Sequence, residues 1–186
     1  GPKAKRFEAD FAAFLGDEAL HCIAVNSATA GLHLALEAVG IGPGDEVITT
    51  THTFTATAEV VRYLGADVKL VDIDPATLNI DPRAIEAAIT PRTKAILPVH
   101  YAGLAADMPA ILAIAARHGL KVIEDAAQAI GSTYKGRAVG GFGAFGCFSF
   151  FPSKNLGGFG DGGLVTATDD AIAHRLRLIR NHGMEP

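Results

Sequence analysis

The amino-acid sequence predicts an α/β fold built on a mostly parallel sheet of seven strands with crossover helices. Three observations carry this expectation. Short β-branched, apolar runs alternate with segments of helical period along the whole chain, the pattern of strands joined by crossover helices. Turn chemistry punctuates the alternation, as in Gly40-Ile-Gly-Pro-Gly-Asp45 and Asp74-Pro75. A chain of 186 residues, 49% hydrophobic and 19% charged, has the size and composition of one ordinary domain and is not a disordered polymer.

In chain order, Phe7, Phe11, Phe14 and Leu15 fall on one face of a first helix. A strand over 22–25 follows, then a helix opening at about Thr29 and carrying Leu32, Leu34, Leu36 and Val39. Further apolar runs predict strands over 46–49, 68–73, 94–99, 120–124, 145–150 and 164–168. Helices are expected between them over 55–63, 82–89, 108–118 and 169–182, with Pro82 at a helix start, where its missing N–H costs little. No repeat, low-complexity tract or domain linker interrupts the pattern. Of the 21 glycines, eleven lie between Gly131 and Gly163, where the backbone must turn or approach something closely.

Sixteen Lys and Arg against twenty Asp and Glu give a net charge of −4, which argues against a nucleic-acid surface or an anionic-membrane patch. No run approaches the roughly 18 apolar residues of a membrane helix, and the first residues carry no apolar stretch of signal-peptide type. Cys22 and Cys147 each sit in an apolar run and read as buried thiols in a reducing compartment. A soluble, cytoplasmic protein with a small-molecule partner and no metal centre is expected.

Two glycine patterns match the dinucleotide fingerprint, Gly141-Phe-Gly-Ala-Phe-Gly146 and Gly158-Phe-Gly-Asp-Gly-Gly163. Each runs into a strand instead of opening a helix, which argues against a nicotinamide-binding oxidoreductase. Asn26-Ser-Ala-Thr-Ala-Gly31 follows a strand and opens a helix. It reads either as a phosphate site built from free amides and the helix dipole or as a plain N-cap by Ser27 or Thr29. Asp125 stands just past an apolar strand, where open α/β sheets place ligands; it is either the partner of a ligand cation or a cap of a following helix. Glu124, by strand alternation, faces elsewhere. Lys154, among aromatics and glycines, is either a desolvated nucleophilic amine suited to Schiff-base chemistry or a salt-bridged loop lysine. Among His52, His100 and His182, His100 is the one placed to approach a ligand, with a packed structural histidine as the alternative.

Five segments together carry a resemblance: Asn26 to Leu36, Thr51-His-Thr-Phe-Thr-Ala-Thr-Ala58, Pro98-Val-His-Tyr-Ala-Gly103, Glu124-Asp-Ala-Ala-Gln-Ala-Ile-Gly131 and Phe148-Ser-Phe-Phe-Pro-Ser-Lys-Asn-Leu-Gly157. In this order, over essentially the whole chain, they resemble the DegT/DnrJ/EryC1/StrS family, pyridoxal-phosphate-dependent sugar aminotransferases of fold type I. The resemblance implies a three-layer αβα large domain over 1–186, with the N-terminal segment and C-terminal small domain of such enzymes absent from it. It implies that Lys154 binds the cofactor aldehyde as an imine and later moves protons, while Asp125 pairs with the pyridinium nitrogen and keeps the ring protonated. Phe54 would stack on the ring face and Gln128 would contact its oxygen side. Thr29 and Ala30, with Ser149, would hold the phosphate. The implied reaction moves an amino group, with glutamate as expected donor, to a nucleotide-linked keto sugar, and the implied assembly is a homodimer. The alternative is a truncated, catalytically incompetent domain that binds cofactor or associates with other chains.

The sequence departs from the family pattern in places. Ser27-Ala28-Thr29 stands where Ser-Gly-Thr is common, Glu59 replaces a frequent asparagine, and Thr50-Thr51-His52 replaces a proline-containing stretch. A related branch with histidine at the lysine position performs dehydration, and Lys154 argues against it.

Overall fold

A computed structural model of the chain describes residues 1–185. The elements are α1 (Pro2–Phe14), β1 (His21–Val25), α2 (Ala28–Ala38), β2 (Glu46–Thr50), α3 (Ala56–Tyr63), β3 (Asp67–Val71), α4 (Pro82–Ala88), β4 (Thr93–Leu97), α5 (Met108–His118), β5 (Lys121–Asp125), β6 (Thr133–Tyr134), β7 (Arg137–Ala138), β8 (Phe145–Ser149), β9 (Gly163–Ala167) and α6 (Asp170–Arg180). Seven strands form one sheet in the order β1-β9-β8-β5-β4-β2-β3. It is parallel except at β9, which runs antiparallel to both β1 and β8. The mostly parallel α/β architecture expected from the alternation is the one observed.

Strand alternation divides the core into two. Ile23, Ala95, Leu97, Ile123, Cys147 and Val165 point to one face, packed under α2, α3 and α6. On the other face, Ile96 and Val122 pack under α4 and α5, while Cys22, Phe148 and Leu164 pack under α1. All five residues of β8 and of β9 are buried, as both-sided coverage of a sheet requires. Each fully buried Ile, Leu or Phe contributes roughly 1.5–3 kcal/mol.

Most element ends follow local chemistry. Ser27 caps α2, its Oγ accepting from the Ala30 amide at 3.1 Å, so the helix opens one residue before the expected Thr29. Asp81, Asp107 and Asp169 cap α4, α5 and α6 in the same way, and Gly119 ends α5 in the left-handed region. Three expectations need correction. The strand expected over 68–73 ends at Val71, and Ile73 makes an isolated bridge to Ile80. The strand expected over 94–99 ends at Leu97, because Pro98 has no N–H to continue the ladder. No helix follows Asp125; the chain there turns, and Oδ1 of Asp125 accepts the Ala127 amide at 3.1 Å. The hairpin β6–β7 was not expected, since two-residue strands leave no periodic signal.

Candidate active site

The C-terminal ends of β2, β4, β5 and β8 and the N-terminus of α2 open onto one cleft of about 550 Å³. This is where ligands bind in open α/β sheets. Thr29, Phe54, Asp125, Gln128, Ser149 and Lys154 all line it, although they come from four separate segments. A second surface hollow, at Thr90, Thr93 and His118, lies at the opposite ends of the strands and gathers no such set.

Asp125 ends β5 and is 5% exposed. Its Oδ2 accepts the Thr57 hydroxyl at 2.7 Å, and no cation is bonded to it among the described residues. Burial raises its pKa above the ordinary carboxylate range; the Thr57 hydroxyl, the Ala127 amide and the nearby His100 and Lys154 pull the other way. Glu124 points to the opposite face, as alternation predicts. There it accepts from Nε2 of His100 at 2.9 Å and from the amides of Gly140, Phe142 and Gly143, each at 2.7 Å. His100 is fully buried, and its Nδ1 accepts the Ala106 amide at 3.1 Å, so the packed-histidine alternative holds.

Lys154 sits half-buried in the turn after β8 and makes no ion pair among the described residues. The salt-bridged alternative is therefore not what the structure contains. Its amide donates to the Phe151 carbonyl at 2.8 Å, and Nδ2 of Asn155 ties the same turn to the Ile130 carbonyl at 2.7 Å. A Cβ at Gly157 would stand 2.4 Å from the Pro152 oxygen, so the turn closes only around glycine.

At the first turn of α2, the Ala28 and Thr29 amides have no acceptor among the described residues, whereas the Ala30 amide is taken by Ser27. Ala30 itself does not line the cleft. A Cβ at Gly163 would stand 2.4 Å from the Ser27 carbonyl carbon and 2.7 Å from the Ala28 nitrogen. Glycine at the start of β9 is what lets this amide cradle seat against the sheet. Ser149 Oγ accepts the Phe151 amide at 3.3 Å, which leaves its own proton to donate. Oε1 of Gln128 accepts the Ala102 amide at 2.8 Å, which leaves the Gln128 NH₂ as a donor. Phe54 is 73% exposed at the cleft mouth, beside the half-exposed Phe151.

Sequence reasoning gave no role to Thr57, Tyr101, Asp161 or Gly163, all of which the structure brings to the cleft or its cradle. Thr57 looks like a helix-start threonine, and Tyr101 and Asp161 sit in short loops without a period; their one signal was membership of the motifs already quoted. The two glycine fingerprints lead into β8 and β9, as expected. Among the described residues no cluster of His, Cys, Asp and Glu is placed to hold a metal ion, and no helix is long and apolar enough to cross a membrane.

Known proteins resemble the chain along its whole length. A "Pleiotropic regulatory protein" of Geobacillus stearothermophilus is 54% identical over 186 residues, covering 100% of this chain and 50% of that protein. The UDP-N-acetyl-3-dehydro-alpha-D-glucosamine 3-aminotransferase of Acidithiobacillus ferrooxidans is 55% identical over 183 residues, covering 98% of this chain and 49% of that protein. Among solved structures, S. venezuelae DesV in complex with a ketimine intermediate superposes with a TM-score of 0.94 at 48% identity, covering 100% of this chain and 50% of that one. The chain thus spans about half the length of the curated relatives it matches. Residues 1–186 match the family described as the DegT/DnrJ/EryC1/StrS aminotransferase family, and the chain belongs to it.

Proposed function

We propose that this chain is the large, cofactor-binding domain, over 1–186, of a pyridoxal-phosphate-dependent aminotransferase acting on a nucleotide-linked keto sugar, with glutamate as amino donor. The observation that carries the reading is the buried, cation-free Asp125 carboxylate lining the same cleft as the unpaired Lys154 and the open amide cradle of α2. These residues fit the cofactor: a carboxylate for a pyridinium, free amides for a dianion, an amine for an aldehyde, and an exposed aromatic ring for a ring face.

When bound, the cofactor supplies an aldehyde carbon and a ring that accepts the electrons of a broken C–H bond. Asp125 holds the proton at the ring nitrogen, and the buried site strengthens that pairing. The Ala28 and Thr29 amides, the Thr29 hydroxyl and the Ser149 hydroxyl bind the phosphate, with Ala30 completing the same helix turn. Gln128 donates through its free NH₂ to the ring oxygen, and Phe54 covers the ring. Lys154 would hold the aldehyde through its amine in the absence of substrate and, once the substrate amine has displaced it, would be placed to move a proton at the substrate carbon.

The named activity of the Acidithiobacillus relative supports the sugar-nucleotide class. The exposed Phe54 and Phe151 lining the cleft support a covered mouth and a homodimer as the working unit.

The test is visible absorbance of the purified protein with pyridoxal phosphate, then borohydride reduction and peptide mapping, with Lys154→Ala as control. A lysine-dependent band and a label on Lys154 are expected. A band unchanged by Lys154→Ala, or no band, overturns the reading in favour of a domain that associates with other chains without building a cofactor site.

A further inference from the structure

Two threonine hydroxyls form a chain that ends on Asp125. Oγ1 of Thr57 donates to Oδ2 of Asp125 at 2.7 Å and lies 2.7 Å from Oγ1 of Thr53. Thr57 has one hydroxyl proton and it is committed to the carboxylate, so Thr53 is the donor to Thr57. The direction of the chain is therefore Thr53 to Thr57 to Asp125, and each bond polarises the next.

Thr57 is fully buried in the first turn of α3, where a valine would fill the same space without a hydroxyl to satisfy. The same turn carries Phe54, whose carbonyl accepts the Thr57 amide at 3.1 Å. One helix start thus sets both the aromatic ring at the cleft mouth and the hydroxyl behind the carboxylate.

We propose that Thr57, backed by Thr53, is a positioning residue that keeps the Asp125 carboxylate ionised and fixes which of its lone pairs face the cleft. The identity of what Asp125 faces rests on the cofactor reading above; the hydroxyl chain is a property of these residues alone.

Four groups influence or adjoin Asp125: Thr57 of α3 bonds to it, Lys154 of the turn after β8 and Cys147 of β8 lie close enough to feel its charge, and His100, after β4, acts on it from the other face of the sheet. Burial raises Asp125, and among the influences that oppose burial the Thr57 hydroxyl is the largest, ahead of the Ala127 amide, His100 and Lys154. The Cys147 thiol, itself pushed up by burial and by the Asp125 and Glu124 carboxylates, stays neutral and offers no replacement charge. Removing the Thr57 hydroxyl leaves a buried carboxylate with one backbone donor.

The experiment follows the Asp125 carboxyl signal by carbon-13 NMR in the cofactor-free full chain as pH is varied, with Asp125→Asn identifying the signal. Thr57→Val is expected to raise the midpoint by about one pH unit, the size of one hydrogen bond to a charged group. Thr57→Ser, which keeps the hydroxyl, is expected to restore it, and Thr53→Val to give a smaller rise in the same direction. An unchanged midpoint in folded Thr57→Val, or no recovery in Thr57→Ser, overturns the proposal. If Thr57→Val does not fold by circular dichroism, the half-buried Thr53→Val decides, and no rise there overturns it. Absorbance with pyridoxal phosphate is read in parallel. A wild-type protein without a Lys154-dependent band removes the cofactor reading, while the titration still decides the hydroxyl chain.

Discussion

Nε2 of His100 stands 2.9 Å from Oε2 of Glu124, both side chains fully buried, on the face of the sheet opposite Asp125. Two adjacent carboxylates thus do different work. Glu124 gathers His100 and three amides of the 140–143 loop, while Asp125 lies open to the cleft.

Glu124→Gln replaces one of two acceptor oxygens with an NH₂ that meets donors. The expected loss of stability is on the order of 3 kcal/mol, as for a broken buried polar network. Urea unfolding of the variant against the wild type measures it; a change within experimental error would show that the loop amides find other acceptors.

Asp125→Asn is expected to do the reverse to the cofactor-free protein. Its NH₂ donates to Thr57, whose proton then turns to Thr53, and its oxygen keeps the Ala127 amide. Burial raises the Asp125 pKa, so the folded protein holds this proton more tightly than the unfolded chain. The cost of Asp125 is therefore absent below the unfolded value of about 4 and grows as pH rises through the folded one. The melting temperature of Asp125→Asn is expected to exceed that of wild type at pH 7 and to match it near pH 4, with loss of cofactor binding as the counterpart.

Gly163→Ala drives a Cβ into the Ser27–Ala28 peptide. Separating α2 from β9 is expected to cost about 1–3 kcal/mol of stability. It also displaces the amide cradle, so pyridoxal phosphate is expected to bind roughly tenfold or more weakly, ~1.4 kcal/mol per factor of ten. Titration of absorbance in the folded variant checks this, and unaltered affinity would remove the cradle from the site.

The buried thiols give stability an alkaline limit. Burial, with a smaller contribution from the Glu8 carboxylate, pushes Cys22 up to about 12, and burial pushes Cys147 up as well. Below about pH 8.5 both states hold these protons and the thiols contribute nothing. Above it the unfolded chain releases protons that the folded one keeps, so stability falls by about 1.4 kcal/mol per pH unit for each thiol. Urea unfolding at pH 7 and pH 10 is expected to show that fall, and iodoacetamide at pH 8 to label neither thiol before unfolding.

Much of the fold was legible because strand and helix periods are local. The aspartates and serine that cap the helices, the proline that opens α4 and the glycine that ends α5 are written in the residues themselves. Asp125 and Lys154 stood out because a carboxylate past an apolar strand and a lysine among aromatics are costly unless something uses them. Thr57 did not, since its partner lies across the fold and a threonine at a helix start has a cheaper explanation. His100 had two readings that only packing separated.

The sequence by itself determined the order of elements, the turns that end them and the alternation that sends Glu124 and Asp125 to opposite faces. Tertiary structure decided which face holds the cleft, and that β9 enters antiparallel between β1 and β8. That insertion brings Gly163 against Ser27, and packing of α3 on the sheet brings Thr57 against Asp125. The physical reason is that periodicity and capping act within a few residues of chain, whereas strand order and buried hydrogen bonds are selected by the joint burial of segments far apart in sequence.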